Sequence, residues 1–364
     1  YSGNTPSRMN KNQFDGSINW ITSGELKEHY ISDTKEKISE EAAKNNSLKL
    51  LPVGTFVIAI YGLEANGVRG TCSITTREST ISQACMAFTS KMDIQNEFLY
   101  SWYKKHGNII GIKYAQGTKQ QNLSYDIIER FNISYPCMEE QKKLIRFISL
   151  IDQRIATQNK IIEDLKKLKS AIIEIEYSPK DSYHSHIGGA IVQISKRNKD
   201  NHLCNVLSVS NRQGFIKQSE QFEDRNVASD DTSNYKIVEK NDFAYNPARI
   251  NVGSIARLTK FETGIVSPMY ICFRTKDCLL PEYLELFFES RNFFYHIQKR
   301  LEGSVRLCLS YEELCNIPIV IPSIEKQKQV DLHLSKLAQK IDLEMKILQF
   351  VQQQKTYLLH QMFI

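Results

Sequence analysis

A segment of this chain occurs twice, and this internal repeat limits the possible folds more than any other feature of the sequence. Pro136 corresponds to Pro322 and Gln141 to Gln327, an offset of 186 residues (322 − 136). The triplet Leu-Ser-Tyr follows the same offset, starting at residue 123 in one copy and at residue 309 in the other. A duplication of this length predicts two similar structural frames within one chain.

Downstream of each proline, apolar residues recur alternately four and three positions apart. This spacing over four heptads is typical of the seam of a coiled coil. Acidic residues in the first turn favour a helix start there, so we predict helices over residues 139–176 and 324–361. The predicted seam residues are Leu144, Ile148, Ile151, Ile155, Ile162, Leu165 and Ile172 in the first copy, and Val330, Leu334, Leu337, Ile341, Leu348, Val351 and Leu358 in the second.

The order of the segments predicts that the two helices run antiparallel. The first helix leads into the second globular segment, and the second helix leaves that same segment. Because a domain of about 145 residues has a radius of gyration of only about 15 Å, the second helix must start near the end of the first. Polar residues interrupt both seams at matching positions, and we expect each at a solvated edge: Gln158, Lys169, Glu344 and Lys355.

The two globular segments differ in sequence but share an outline of short strands, turns and helices. "LLPVGTFVIAIYG" predicts a buried strand and "NEFLYSWYKKH" a helix in the first; "PEYLELFFESRNFF" is helical in the second. We therefore predict an α+β fold with two mixed α/β domains, joined by two long antiparallel coiled-coil helices in a pseudo-twofold repeat. The predicted segments are domains over 1–137 and 179–322, and long helices over 138–178 and 323–364.

Composition is compatible with this architecture and excludes some classes of protein. The chain has 364 residues, 41% of them hydrophobic and 24% charged, and a net charge of +6 that permits a nucleic-acid partner. No apolar run reaches the roughly 18 residues of a membrane span, so we expect a cytoplasmic protein without a membrane partner. The eight cysteines form no C-x-x-C pair; we expect reduced, buried or half-buried thiols and no metal site. Because no signal-like segment follows Tyr1, we expect the numbering to begin inside a longer chain.

Several motifs together resemble the specificity subunit of type I restriction-modification enzymes. They are the opening "TPS...INWITSGEL", the strand "LLPVGTFVIAIYG", the stretch "AYNPARINVGSIAR", the paired turns "QGTKQQNLS" and "EGSVRLCLS", and the "P-x-x-E-x-Q" start of each long helix. The resemblance covers nearly the whole chain, although the short stretch that usually precedes G-x-T-P-S is missing. It implies two target recognition domains that each read half of an asymmetric, two-part site in double-stranded DNA. The implied partners are methyltransferase subunits, two in number, and restriction subunits.

Motifs for catalysis are missing from the sequence. "YNPA" at residues 245–248 lacks the second proline and the aromatic residue of an amino-methyltransferase motif, and we assign Pro247 to a turn. No glycine-rich loop for a methyl donor or a nucleotide is present, and we expect no cofactor and no enzymatic activity in this chain. Two other interpretations remain open: a scaffold that presents two binding modules but binds no DNA, and the recognition half of a fused methyltransferase-nuclease.

The candidate DNA-binding residues are cations and amides near glycine turns, where the backbone can approach DNA closely. Arginine suits guanine, whereas asparagine and glutamine suit adenine. Alternatively, Asn246 caps a turn, isolated cations are only solvated, and Tyr61 and Tyr245 belong to the core rather than stacking on bases. The candidates are Arg69, Lys113, Lys119, Gln120 and Gln121 in the first domain, and Lys196, Arg197, Asn246, Arg249 and Arg306 in the second.

Overall fold

The computed structural model describes residues 1–62, 70–90, 93–114, 121–178, 185–211, 213–221, 231–303 and 307–363. Short strands and helices fill the N-terminal part, and a long helix follows them. The strands are β1 (Ile18–Ile21), β2 (Tyr30–Ile31), β3 (Lys37–Ile38), β4 (Phe56–Ala59), β5 (Tyr61–Gly62), β6 (Cys72–Thr75), β7 (Ser79–Ile81), β8 (Cys85–Phe88) and β9 (Gln121–Asn122). The helices are α1 (Glu40–Asn45), α2 (Asn96–Tyr114), α3 (Tyr125–Ile128) and the long α4 (Met138–Glu176).

The second half of the chain repeats this plan and also ends in a long helix. Its strands are β10 (Ile191–Ile194), β11 (Val206–Ser210), β12 (Gly214–Lys217), β13 (Lys236–Glu239), β14 (Phe243–Tyr245), β15 (Ile255–Arg257), β16 (Thr263–Val266) and β17 (Ile271–Thr275). Its helices are α5 (Ile187–Ala190), α6 (Gln218–Gln221), α7 (Pro281–Phe287), α8 (Arg291–Arg300), α9 (Tyr311–Cys315) and the long α10 (Ile324–Met362). The mixed α+β fold predicted for both globular segments is confirmed.

The chain forms two compact units, and each contains parts of both long helices. Unit 1 comprises Tyr1–Asn159 with Lys346–Ile364, and unit 2 comprises Lys160–Met345. In unit 1 the sheet orders are β3-β1-β7, β2-β6-β4-β8 and β5-β9. In unit 2 they are β10-β17-β14-β15 and β12-β11-β16-β13.

A strand buried on both faces forms the centre of each unit. In β4, Phe56 and Ile58 join the cluster around α2, whereas Val57 and Ala59 join a separate cluster on the other face. Successive side chains of a strand point to opposite faces, so a strand covered on both faces is apolar at every position. This explains the continuous apolar run of "TFVIAI". In β14 the same alternation places Phe243 and Tyr245 in one cluster and Ala244 in another.

The two long helices are confirmed, and each spans about 58 Å at about 1.5 Å per residue. Every predicted seam residue is buried or half-buried. Within unit 1, Asp152 pairs with Lys355, while Ile148, earlier in α4, shares a cluster with Phe363, which directly follows α10. This places the beginning of α4 against the end of α10.

Unit 2 contains the opposite ends of the same two helices. Ile173 of α4 packs in one cluster with Val330 and Leu334 of α10, and Lys326 approaches Glu176 at 3.7 Å. The end of α4 therefore lies against the beginning of α10. Together with the contacts of unit 1, this confirms the predicted antiparallel pairing.

The expectation that the polar seam residues are solvated was wrong. Gln158 and Glu344 are only 8% and 7% exposed. Lys169 and Lys355 are half-buried and pair with Glu289 and Asp152 at 2.6 and 2.5 Å. The heptad position determines burial whatever the side chain, and a lysine there can bury its aliphatic stem while its ammonium group reaches an acid. Glu344 pairs with Lys340, one turn earlier, at 2.6 Å.

The prediction for the cysteines was only partly right. All eight are free thiols, but Cys137, Cys204 and Cys278 are exposed because they lie in segments between regular elements. Cys308 and Cys315 are half-buried. The remaining thiols lie in strands, and burial raises their pKa to about 12: Cys72, Cys85 and Cys272.

Within the ranges described above, no helix has both the length and the apolar character that crossing a membrane requires.

Candidate nucleic-acid interface

In unit 2 the predicted motif "YNPARINVG" forms a tightly bonded loop between β14 and β15. The N–H of Asn246 donates to the carbonyl of Ser254 at 3.0 Å, and the N–H of Ser254 donates to the carbonyl of Arg249 at 3.1 Å. A 3-10 turn over Ile250–Val252 fills the loop, and Gly253 closes it with a left-handed φ of 89°. Only glycine adopts such a φ without strain, so the loop has a defined conformation.

Two polar side chains project from this loop into solvent. Arg249 and Asn251 are exposed, and neither side chain makes a hydrogen bond or an ion pair with any described residue. Ile250 between them is completely buried and anchors the turn in the core. The loop therefore presents a guanidinium and an amide on a fixed backbone, which suits contacts with phosphates and base edges.

A second predicted segment lies against the same loop. The N–H of Leu309 donates to the carbonyl of Pro247 at 3.1 Å, and the hydroxyl of Tyr245 donates to the carbonyl of Leu309 at 3.2 Å. These bonds bring the "EGSVRLCLS" segment beside "YNPARINVG". Arg306 lies outside the described residues.

Unit 1 repeats this connection with different residues. The N–H of Leu123 donates to the carbonyl of Ile60 at 2.8 Å, and β5 pairs with β9, with Tyr61 opposite Asn122. Leu123 is the counterpart of Leu309 in the repeat. We call residues 60–62 with 121–123, and residues 246–254 with 307–309, the loop pair of each unit. Three predicted residues of unit 1 lie outside the described residues, namely Arg69, Lys119 and Gln120, and Gln121 is placed by its backbone alone.

The loop between β5 and β6 ends at a glycine that contacts α2. Gly70 has a left-handed φ of 76°, and a Cβ added to Gly107 of α2 would lie 2.6 Å from its Cα. Lys104 of α2 donates to the carbonyl of Gly70 at 3.3 Å. This contact holds Gly70 against α2, and residues 63–69 before it lie outside the described residues.

Other predicted residues lie apart from the loop pairs or are already engaged. Lys113 is exposed in the last turn of α2, and its ammonium lies 5.2 Å from the ring of Tyr114. Exposed Lys196 and Arg197 follow β10, the edge strand opposite β15 in its sheet, and Arg197 donates to the Asn234 side chain at 3.0 Å.

The structure favours the alternative interpretations of two residues in the "YNPA" stretch. Asn246 is 7% exposed, and its side-chain oxygen accepts from the N–H of Ala248 at 3.1 Å, so it caps the turn. The ring of Tyr245 is completely buried and belongs to the core. Base stacking requires an exposed ring face, which Tyr245 does not have.

Sequence reasoning missed Arg257, which holds the unit 2 loop to α7. Its guanidinium donates to Glu285 at 2.8 Å and to Asn241 at 2.9 Å, and it also pairs with Glu282. Burial raises the pKa of Glu285, and Arg257 opposes that shift. A cleft of about 390 Å³ lies between the β11–β12 and β14–β15 hairpins and helices α7 and α8, and Asn211 is part of its lining. The charges around Arg257 are paired, so we assign this arginine to positioning the hairpin rather than to contacting DNA.

Sequence reasoning also missed the role of Gln141, although it recognised this residue as part of the repeat. Gln141 is completely buried, and its side-chain oxygen accepts from the N–H of Gln95 at 2.9 Å. Its amide nitrogen donates to the carbonyls of Asp93 and Pro136 at 2.8 and 2.9 Å. One amide thus joins the start of α4 to the segment before α2.

Gln327 makes the equivalent contacts in unit 2. It is also completely buried, accepts from the N–H of Leu280 at 2.8 Å, and donates to the carbonyls of Cys278 and Pro322 at 3.0 and 2.9 Å. We call Gln141 and Gln327 the glutamine clamps. Each clamp joins the segment before a helix of its unit to the start of the long helix that follows.

No described group of three or more His, Cys, Asp or Glu side chains could hold a metal ion. The exposed cation and amide of the unit 2 loop, Arg249 and Asn251, suit binding.

The comparisons with known proteins agree with the resemblance described in the sequence analysis. Residues 2–167 match the family model of the type I restriction modification DNA specificity domain. The chain is 28% identical over 184 residues to the type I restriction enzyme MjaIX specificity subunit of Methanocaldococcus jannaschii, covering 49% of this chain and 41% of that protein. It is 26% identical over 171 residues to the EcoR124I/EcoR124II specificity subunit of Escherichia coli, covering 46% and 41%. The matches span about two fifths of each of these relatives.

Solved structures resemble the chain over nearly its full length. The S subunit of a type I restriction-modification system from M. genitalium has a TM-score of 0.55 at 14% identity, covering 100% of this chain and 93% of that one. The HsdS subunit from Thermoanaerobacter tengcongensis has a TM-score of 0.51 at 13% identity, covering 95% and 90%. At this identity the likeness concerns the fold. Together, the comparisons confirm the resemblance to type I specificity subunits and the fold class predicted from the sequence.

Proposed function

We propose that this chain reads DNA sequence for a type I restriction-modification complex. It is a relative of type I specificity subunits, and its residues 2–167 match their DNA specificity domain. The observation that carries the proposal is the loop pair, built twice on the same backbone hydrogen bond from segments far apart in sequence. In unit 2 it presents a free cation and a free amide. Both are groups that position a protein on phosphates and distinguish bases.

The residues proposed to contact DNA belong to both units. In unit 2, Arg249 is the strongest candidate because it is exposed and unpaired with any described residue. In unit 1 we assign the corresponding role to Lys113, Arg69 and Lys119, of which the last two lie outside the described residues. The remaining candidates are Gln120, Gln121, Lys196, Arg197, Asn246 and Arg306, of which Asn246 would act through the turn that it caps.

Each recognition domain would read one half of a two-part site, and the long helices would set the length of the unread gap. We assign the domains to residues 1–137 and 179–322, and the spacer helices to 138–178 and 323–364. One heptad inserted into each long helix adds about 10 Å, or about three base pairs of B-form DNA. The two half-sites should stay the same while the gap lengthens. An unchanged gap would refute the proposed role of the helices.

Exposed apolar residues on the long helices support the binding of protein partners. On α4, Phe147, Ile161, Leu168 and Ile175 recur at multiples of seven residues and are at least 40% exposed. Leu343, Phe350 and Tyr357 on α10 follow the same spacing and are at least 51% exposed. We assign these stripes to methyltransferase subunits, two per chain, and expect restriction subunits to join the complex more peripherally. The partners would supply the chemistry, and this chain would contribute no catalytic residue and no cofactor.

Salt dependence of DNA binding tests the proposal directly. The affinity of the full chain for duplex DNA, measured by fluorescence anisotropy, should fall steeply with salt because neutralised phosphates release counterions. Arg249→Ala should weaken binding and make the slope of log K against log salt about one unit shallower if Arg249 contacts a phosphate.

Lys240→Ala is the matched control for Arg249→Ala. Lys240 is also an exposed cation, but it precedes β14 whereas Arg249 follows that strand, and it pairs with Glu262 at 2.6 Å. This variant should bind DNA as the parent does. Equal effects of the two substitutions would remove Arg249 from the interface, and protein binding without any DNA binding would favour the scaffold interpretation.

A further inference from the structure

We propose that Asn211 is a second base-reading residue of unit 2, and that it recognises an adenine in the major groove of its half-site. This inference rests on the proposed function. Neither the repeat nor the motifs indicated Asn211, because it belongs to a turn between β11 and β12, in a different sheet from the loop between β14 and β15.

The structure brings this turn into contact with the loop pair of unit 2. The hydroxyl of Ser254 donates to the carbonyl of Val209 at 3.0 Å. A Cβ built on Gly253 would lie 3.7 Å from the Cβ of Asn211, and one built on Gly214 would lie 3.5 Å from the Cβ of Ala256. The two hairpins therefore lie side by side.

The side chain of Asn211 is available for a ligand. It is exposed and makes no hydrogen bond with any described residue. Other asparagines of unit 2 are already engaged: Asn198 is completely buried and bonds to Leu203, and Asn246 caps its own loop. Asn211 and Asn251 thus present two free amides from the turn and the loop that meet at Gly253.

The strands on each side of the turn that contains Asn211 are paired, and Arg212 after it lies outside the described residues. Strands β11 and β12 pair in register up to Ser210 opposite Gly214, and Gly214 has a left-handed φ of 67°. Asn211 therefore directly follows a strand that is paired to its end.

An amide on a two-stranded ribbon suits adenine. The major groove admits a β-ribbon, and an asparagine amide can bond to N7 and the N6 amino group of adenine at the same time. Arg249 belongs to the neighbouring hairpin, since Ser254 donates to the carbonyls of both Arg249 and Val209. Arg249 would contact a neighbouring phosphate or guanine, and Asn211 would identify the A·T pair.

Asn211→Asp tests the inference with the smallest change of shape. Aspartate keeps the turn propensity of asparagine but loses the amide donor, and it accepts a hydrogen bond from N4 of cytosine. The experiment is enrichment of a randomised DNA duplex by the full chain, followed by sequencing of the bound fraction. The parent should enrich a two-part motif with adenine at the position read by Asn211.

For Asn211→Asp, the preference for A·T at one position of one half-site should fall by about tenfold or more, with a gain for C·G at that position. The other half-site should not change. Gln193→Ala is the matched control, because Gln193 is an exposed amide on β10, the strand at the opposite edge of the sheet from β15. This control should enrich the parental motif.

The possible results separate the two proposals. An unchanged motif for Asn211→Asp, with normal thermal stability, would overturn the role of Asn211 and leave the proposed function intact. A parent chain that enriches no motif at all would overturn the proposed function and this inference with it. A change of preference in both half-sites would also contradict the inference, because Asn211 belongs to one unit only.

Discussion

The glutamine clamps make a quantitative prediction about stability. Replacing Gln141 by leucine keeps most of the side-chain volume but removes one acceptor and two donors from a completely buried position. The N–H of Gln95 and the carbonyls of Asp93 and Pro136 would then lose their partners. The start of α4 would no longer be joined to the segment before α2.

The expected cost follows from the number of bonds lost. A hydrogen bond contributes about 1 kcal/mol net, so three bonds contribute about 3 kcal/mol, and the more apolar leucine offsets less than about 1 kcal/mol of this loss. We expect the free energy of unfolding of unit 1 to fall by about 2 to 3 kcal/mol. For a unit of this size, each kcal/mol lowers Tm by about 2 to 4 °C, so Tm should fall by about 4 to 12 °C.

Tryptophan fluorescence can follow unit 1 directly during thermal or urea unfolding. The chain has two tryptophans, Trp20 and Trp102, and both lie in unit 1. Gln141→Leu should therefore shift the fluorescence transition. Gln327→Leu removes the equivalent clamp from unit 2 and should shift the circular dichroism signal by a similar amount. Because the two clamps share no partner, the cost of the double variant should be the sum of the single costs to within about 0.5 kcal/mol.

Exposed glutamines on the same helices provide the controls. Gln153→Leu on α4 and Gln329→Leu on α10 make the same chemical change at exposed positions. Each should alter the free energy of unfolding by less than about 0.5 kcal/mol. If Gln141→Leu costs no more than Gln153→Leu, the three bonds do not hold the domain to its helix and the reasoning is wrong.

Three further predictions concern other parts of the chain. Lys105 donates to the carbonyls of His360 and Phe363 at the end of α10, so Lys105→Met should cost about 1 to 2 kcal/mol and speed amide exchange over residues 355–363. Burial lowers the pKa of His106, so below about pH 6.5 the unfolded chain binds more protons than the folded chain, and the folded state loses stability as the pH decreases. His106→Gln should make this loss smaller in thermal melts measured at a series of pH values. In the native protein, a thiol reagent should quickly label the exposed cysteines, Cys137, Cys204 and Cys278. It should label the buried cysteines, Cys72, Cys85 and Cys272, only when the protein unfolds.

Much of the candidate interface was predictable as segments but not as side chains. The sequence indicated the "YNPARINVG" and "EGSVRLCLS" stretches, and the structure joins them through Leu309 and Pro247. Within them, the side chain of Asn246 bonds to its own loop, whereas that of Arg249 projects free. Both residue types are common in turns and in DNA-binding loops, so composition alone could not separate these roles.

The sequence by itself determined the repeat, the two long helices and the apolar strand of the first domain. Their signals are local: a heptad period fixes which helix positions face a partner, and an uninterrupted apolar run fits only a strand covered on both faces. The helix ends at Met138 and Glu176, and at Ile324 and Met362, agree with the predicted ranges to within one residue.

Only the tertiary structure decided which polar residues are buried and which surface residues meet. Gln158 and Glu344 are polar yet buried, because the packing of the helices covers their heptad position whatever occupies it. Asn211 and Gly253 connect strands of different sheets, and no local pattern in the sequence indicates that the two connections touch. Contacts between distant segments depend on how whole elements pack, so they appear only once the chain has folded.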